Sequence, residues 1–90
     1  MYLHLGQDTV VAFDEIIGIF DLDTSTVSKT TRDYLKRAEI AGYVVNVSME
    51  LPKSFTVCKD ANNKTIVYIS QISSATLLKR TGYIQGLSNL

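Results

Sequence analysis

Lys53 stands directly after the chain's one proline, Pro52, in the stretch MELPKSFTV at 49–57. Proline cannot donate to a β-ladder, so it ends one strand and fixes the loop before the next. A lysine set there is a compact point charge suited to a phosphate oxygen. Lys59, Lys64, Lys79 and Arg80 also fall at element ends. Of these, Lys59, Lys79 and Arg80 join Lys53 as candidate nucleic-acid contacts. Taken singly, cations at strand ends are usually solvated and protect sheet edges from aggregation. Symmetry changes that balance, because a cyclic oligomer repeats one weak phosphate contact in every subunit.

Other chemistry finds little support. His4 is the single histidine and alternates with Tyr2 and Gly6 on a predicted strand, which suits a structural or exposed ring better than a general base. Asp14, Glu15, Asp21 and Asp23 have no histidine or cysteine companion at metal-ligand spacing. The lone cysteine, Cys58, leaves no internal disulfide and reads as a strand thiol. Glycines 6, 18, 42, 82 and 86 form no phosphate-binding pattern. The chain is therefore expected to be no enzyme, with no catalytic residue, no metal and no cofactor.

These residues must be carried by a small body. Ninety residues, 46% of them apolar, predict one globular domain over residues 1–90. A core that size gives marginal stability, so burial of a face by self-association is expected. The net charge of zero conceals a split. Residues 1–23 hold five acids and no Lys or Arg, whereas residues 24–90 hold all nine cations against Asp33, Glu39, Glu50 and Asp60. That pattern suits either a basic binding face or acidic and basic patches that meet between subunits. No secretory pattern opens the chain and no apolar stretch is long enough to span a bilayer, so a soluble, cytoplasmic protein is expected.

The predicted order is β-β-β-α-β-β-β-α. This is an α+β fold with a small antiparallel sheet, one main helix and a short C-terminal helix. YLHL, ending at GQD, and TVVAF read as strands, as does EIIGIFDL, where Gly18 marks a bulge or a close backbone approach. In TSTVSKTTRDYLKRAEIAGYV, Val27, Thr31, Tyr34, Leu35, Ala38 and Ala41 share one helical face. Asp23, Thr24 and Ser25 are candidate N-caps, and Gly42 suits the helix end. YVVNVSM is apolar on both faces and predicts a covered strand. SFTVCKD and TIVYISQI around ANNK predict a hairpin. SSATLLKRTGYIQGL starts with cap-competent serines and aligns Leu77, Leu78 and Ile84 on a short helix.

Two resemblances follow from these stretches. STVSKTTRDYLKRAEIAGYV resembles the recognition helix and wing entry of winged-helix regulators, with Ser28, Lys29, Thr31 and Arg32 toward a major groove. That fold needs two earlier helices, where the alternating runs predict strands. MYLHLGQDTVV, EIIGIFDLD, LPKSFTV and SQISSATLLKR, in this order over residues 1–82, resemble the extracellular matrix regulatory protein B family (RemB, or YaaB, proteins) of Bacillus-type bacteria. That family is related to the shorter biofilm regulator RemA. The resemblance implies a cytoplasmic, DNA-binding or DNA-associated transcriptional regulator of matrix genes, forming a ring-shaped homo-oligomer that contacts DNA through repeated basic side chains. RemA-like proteins carry a paired-arginine loop before the hairpin. Here the loop reads LPKS, so Lys53 matches the second basic position and Pro52 replaces the first. A further basic position of those relatives falls at Glu15, a reversal of charge. The alternative is a self-assembling scaffold module, alone or with a RemA-like partner, that does not touch DNA.

Overall fold

The structure is a computed structural model and describes residues 1–22 and 28–82. Its elements run β1 (Tyr2–Gly6), β2 (Thr9–Ala12), a 3-10 turn (Phe13–Glu15), β3 (Ile16–Asp21), α1 (Lys29–Ala41), β4 (Val44–Asn46), β5 (Ser54–Lys59), β6 (Thr65–Ser70) and α2 (Ser74–Arg80). The α+β class and the predicted order both appear. β1 and β2 form their own two-stranded sheet around Gln7 and Asp8, and the other strands form a four-stranded sheet in the order β3-β5-β6-β4.

One pairing departs from an antiparallel sheet. β4 runs parallel to β6, with Val44 opposite Val67 and Asn46 opposite Ile69. β4 is also three residues long and lies at the sheet edge, with Val45 and Asn46 exposed, so the expectation of a covered strand is corrected. Its two-sided apolar content has another cause. Val44 packs on one side of the sheet with Ala38 and Val67, whereas Val47, just past the strand, is buried on the other side.

β5 sits between β3 and β6 and is buried over five consecutive residues, Ser54 to Cys58. Strand alternation sends Phe55 and Val57 to one face, where they meet Ala38, with Tyr34 and Leu35 of α1 packed against them. Cys58 points to the opposite face, into a core of Leu3, Leu5, Val11, Val47 and Leu77 drawn from the β1–β2 hairpin, the β4 exit and α2. The sheet is thus the middle of three layers. Each fully buried leucine contributes roughly 1.5–3 kcal/mol relative to exposure.

Short hydroxyls join the hairpin layer to the sheet. Ser54 and Ser70 are register partners on β5 and β6 and are essentially inaccessible to solvent. Ser70 Oγ donates to Leu5 O at 2.7 Å and accepts from Ile72 N at 3.0 Å, while Ser54 Oγ donates to Ile72 O at 2.7 Å. The buried Thr56 hydroxyl, on the same face, has no hydrogen-bond partner.

The helix ends are local chemistry. Ser28 caps α1, its Oγ accepting from Thr31 N at 3.1 Å. The caps expected at Asp23, Thr24 and Ser25, and the face position Val27, lie outside the described residues, as does Ile84. At the other end Gly42 takes φ 86°, and Gly42 N and Tyr43 N bond Glu39 O and Ala38 O. Of the expected face, Ala38 is buried and Thr31, Tyr34 and Leu35 are half-buried, but Ala41 is exposed. Gly18 meets the bulge reading, and what approaches it closely is a side-chain ring and not another backbone. The β3–β5 register shifts between Ile16 and Gly18, and a Cβ at Gly18 would lie 2.6 Å from Phe20 Cζ, whose ring stacks on Phe55 at 5.0 Å. The hairpin predicted at ANNK closes with Asp60 Oδ1 accepting from Asn62 N and Lys64 N, both at 2.9 Å, and Asn63 at φ 65°.

The serines and Thr56 make opposite predictions. Ser70→Ala leaves the Leu5 carbonyl and the Ile72 amide short of a partner and should cost about 2–3 kcal/mol in urea unfolding. Thr56→Val removes an unpaired hydroxyl at nearly constant shape and should be neutral or stabilising by about 1 kcal/mol.

Candidate nucleic-acid interface

Lys53 is held by its backbone and left open at its side chain. Its amide donates to Ser70 O at 2.8 Å, and its carbonyl accepts from Leu22 N at 2.9 Å. The residue is therefore tied to the ends of β6 and β3 just before β5 begins, while its ammonium is exposed to solvent. Pro52 needs no amide partner at the preceding, exposed position. Upstream, Val47 N donates to Ile69 O at 2.9 Å, and Ser48 Oγ accepts from Glu50 N at 3.0 Å. Both feet of the loop are thus fastened to β6, and a serine turn shapes its crown.

The other three candidates lie elsewhere. Lys59 ends β5 and is exposed, six residues from Lys53, which sets the two Cα atoms about 20 Å apart along the strand. Lys79 and Arg80 are exposed in the last turn of α2, where cations complement the helix dipole. Arg80 Nη1 also donates to His4 O at 3.2 Å, so part of its guanidinium is used to hold β1. Lys53 and Lys59 do not form one cluster within a chain.

Glu15 sits in the 3-10 turn, half-buried, and the pairing of Ile16 with Cys58 puts it at the Lys59 end of the sheet. Burial, and then the Glu15 charge, push the Cys58 thiol up to about 11. Tyr68 is raised too, first by burial and then by Cys58, Glu15 and Asp60. This end of the sheet therefore disfavours added negative charge, whereas Lys53 occupies the opposite end.

The winged-helix resemblance does not survive the fold. Residues 1–22 form strands where two helices would be needed. Ser28 and Thr31 are occupied with each other in the helix cap, and Lys29 pairs with Asp33 at 3.7 Å. Among the described residues no three His, Cys, Asp or Glu side chains come close enough to hold a metal ion, and no helix is long and apolar enough to cross a membrane. His4 is exposed, its Nε2 lying 2.7 Å from Gln7 O.

Two features of the Lys53 loop escaped the sequence reading. Met49 is 99% exposed and Leu51 78% exposed, both just upstream of the lysine. The signal was present in MELP, two apolar residues around one acid before a proline, but apolar letters beside a strand read as strand.

Alkaline pH tests the Cys58 setting. The native thiol holds its proton to about 11, above the ordinary value of 9.0, so the unfolded chain binds fewer protons between those limits. Stability should fall as pH rises from about 9 to 11, by roughly 1–3 kcal/mol. Cys58→Val should make that part of a stability–pH curve, measured by denaturant unfolding, shallower, with the raised Tyr68 keeping a residual fall.

No protein-family model matches the chain. Extracellular matrix regulatory protein B of Bacillus subtilis (strain 168) is 36% identical over 84 residues, covering 93% of this chain and 94% of that protein. With the likeness running through almost the whole of both sequences, the chain belongs to the extracellular matrix regulatory protein B family.

Proposed function

We propose that the chain is a cytoplasmic, non-enzymatic regulator of extracellular matrix genes that associates with DNA as a ring-shaped homo-oligomer. The regulatory part rests on the relative named an extracellular matrix regulatory protein. The observation that supports a DNA contact is Lys53, an exposed cation on a backbone fastened at 2.8 and 2.9 Å to two neighbouring strands. A fixed backbone lowers the entropy lost when the side chain meets a phosphate. One such lysine gives little alone, but its repetition around a closed ring gives avidity.

The chemistry sets the mode of binding. Lysine lacks the bidentate fork with which arginine reads guanine, so Lys53 favours backbone contact with weak sequence preference. Lys59, Lys79 and Arg80 are secondary contacts, because they lie on other parts of the subunit and Arg80 is partly engaged. Sequence choice then comes from the bending of the DNA.

A second reading has its own support. The dispersal of the cations, and Glu15 at a position that is basic in RemA-like relatives, favour a self-assembling scaffold, alone or with a RemA-like partner, that leaves DNA to another protein.

Fluorescence anisotropy with a labelled duplex over a salt series separates the two. Lys53→Glu keeps both backbone hydrogen bonds and should fold. It should weaken binding at least about tenfold near 100 mM salt and lower the salt slope by about one per lost contact. Equal affinities for the two proteins remove Lys53 from the mechanism, and no binding by the wild type favours the scaffold.

A further inference from the structure

We propose that the outward ridge of α1, formed by Lys29, Arg32 and Lys36, binds the phosphate backbone of a duplex together with Lys53, so that the duplex lies over the α1 layer. The inference rests on the DNA reading and names the face of the subunit that carries it. Helical spacing builds the ridge. Ala38 is buried against the sheet, with Tyr34 and Leu35 packed beside it. Lys29, Arg32 and Lys36 follow one another at i, i+3 and i+7 on the side away from Ala38, and all three are exposed. Lys29 and Lys36 stand about 10 Å apart along the helix axis. The acids of α1 are Asp33, which pairs with Lys29 at 3.7 Å, and Glu39 near the helix end. An exposed pair of this kind is weak and yields readily to a phosphate.

Lys53 leaves the sheet on the same side. Phe55 and Val57 face α1, so strand alternation sends Lys53 and Lys59, two residues beyond each end of that pair, to the α1 face. Leu22, whose amide donates to Lys53 O, packs into the same layer. Lys53 therefore shares a face with the α1 ridge, although the two are far apart in sequence.

The hairpin layer differs in sign. Asp21 alternates away from Phe20 and Leu22, and the Glu15 charge acts on Cys58, so both belong to the hairpin side. Asp8 lies in the β1–β2 turn and Asp14 in the 3-10 turn after β2. Against these four acids the layer sets Lys79 and Arg80 of α2, and Arg80 is partly engaged by His4 O. The outer surfaces of the two layers are separated by the sheet and both cores, farther than the Debye length of about 10 Å at 0.1 M salt. Each face thus presents its own charge to a polyanion, and the α1 face is the one that attracts it.

Two neutral substitutions on opposite layers test this. Lys36→Gln and Lys79→Gln both fall at exposed helix positions, so the variants should fold. In a salt series with a labelled duplex, Lys36→Gln should weaken binding about three- to eightfold near 100 mM salt and lower the salt slope by about one. Lys79→Gln should lose less than about twofold and keep the wild-type slope. If the wild type binds and Lys53→Glu weakens it, but Lys36→Gln keeps the wild-type affinity and slope, the α1 ridge is overturned and the DNA reading stands. A larger loss for Lys79→Gln than for Lys36→Gln overturns the ridge in favour of the hairpin layer. A wild type that binds no duplex overturns the DNA reading and this inference together.

Discussion

The register pair Ser54–Ser70 is the joint on which the rest of the molecule depends. Two buried hydroxyls at the end of the β5–β6 ladder reach Leu5 O and Ile72 O, each at 2.7 Å. Those bonds place the β1–β2 hairpin and the start of α2 against one face of the sheet. The Ser70 carbonyl also takes the Lys53 amide, so the candidate contact residue hangs from the same joint. In a 90-residue chain with a net stability of a few kcal/mol, such satisfied polar contacts are a sizeable share of what keeps the layers in register.

Around this joint β5 divides the core. Phe55 and Val57 serve the α1 layer, and Ser54, Thr56 and Cys58 serve the hairpin layer. Among the described residues both faces are covered, but the edges are not. β3 exposes Ile17 and Phe20, and β4 exposes Val45. An apolar edge left in this state invites pairing with another chain. The apolar groove beside β3 and the exposed Met49 and Leu51 add to this apolar surface.

Much of the order of elements was legible because it follows local rules. Gly42 at the end of α1, Asp60 and Asn63 in the hairpin turn and the bulge at Gly18 each depend on a few neighbouring residues. What was illegible depends on distant partners. The parallel pairing of β4 with β6 brings Val44 to Val67, and nothing in the short run around Val44 encodes direction. Ser54, Thr56 and Ser70 look solvent-facing as letters, yet all three are buried. For the candidate site, the place of Lys53 in an exposed loop before β5 was legible from its proline. Its backbone anchorage was not, because Leu22 and Ser70 lie far away in sequence. The separation of Lys53 from Lys59 follows from strand length, whereas Arg80's bond to His4 O required the tertiary fold.

The central claim is that copies of this chain assemble and carry DNA together. Native mass spectrometry of the wild-type protein, with and without a short duplex, tests it most directly. The expected result is one closed oligomeric mass alone, and that same oligomer plus bound duplex when DNA is present. A monomer under both conditions, or an oligomer whose mass never changes with DNA, would contradict it.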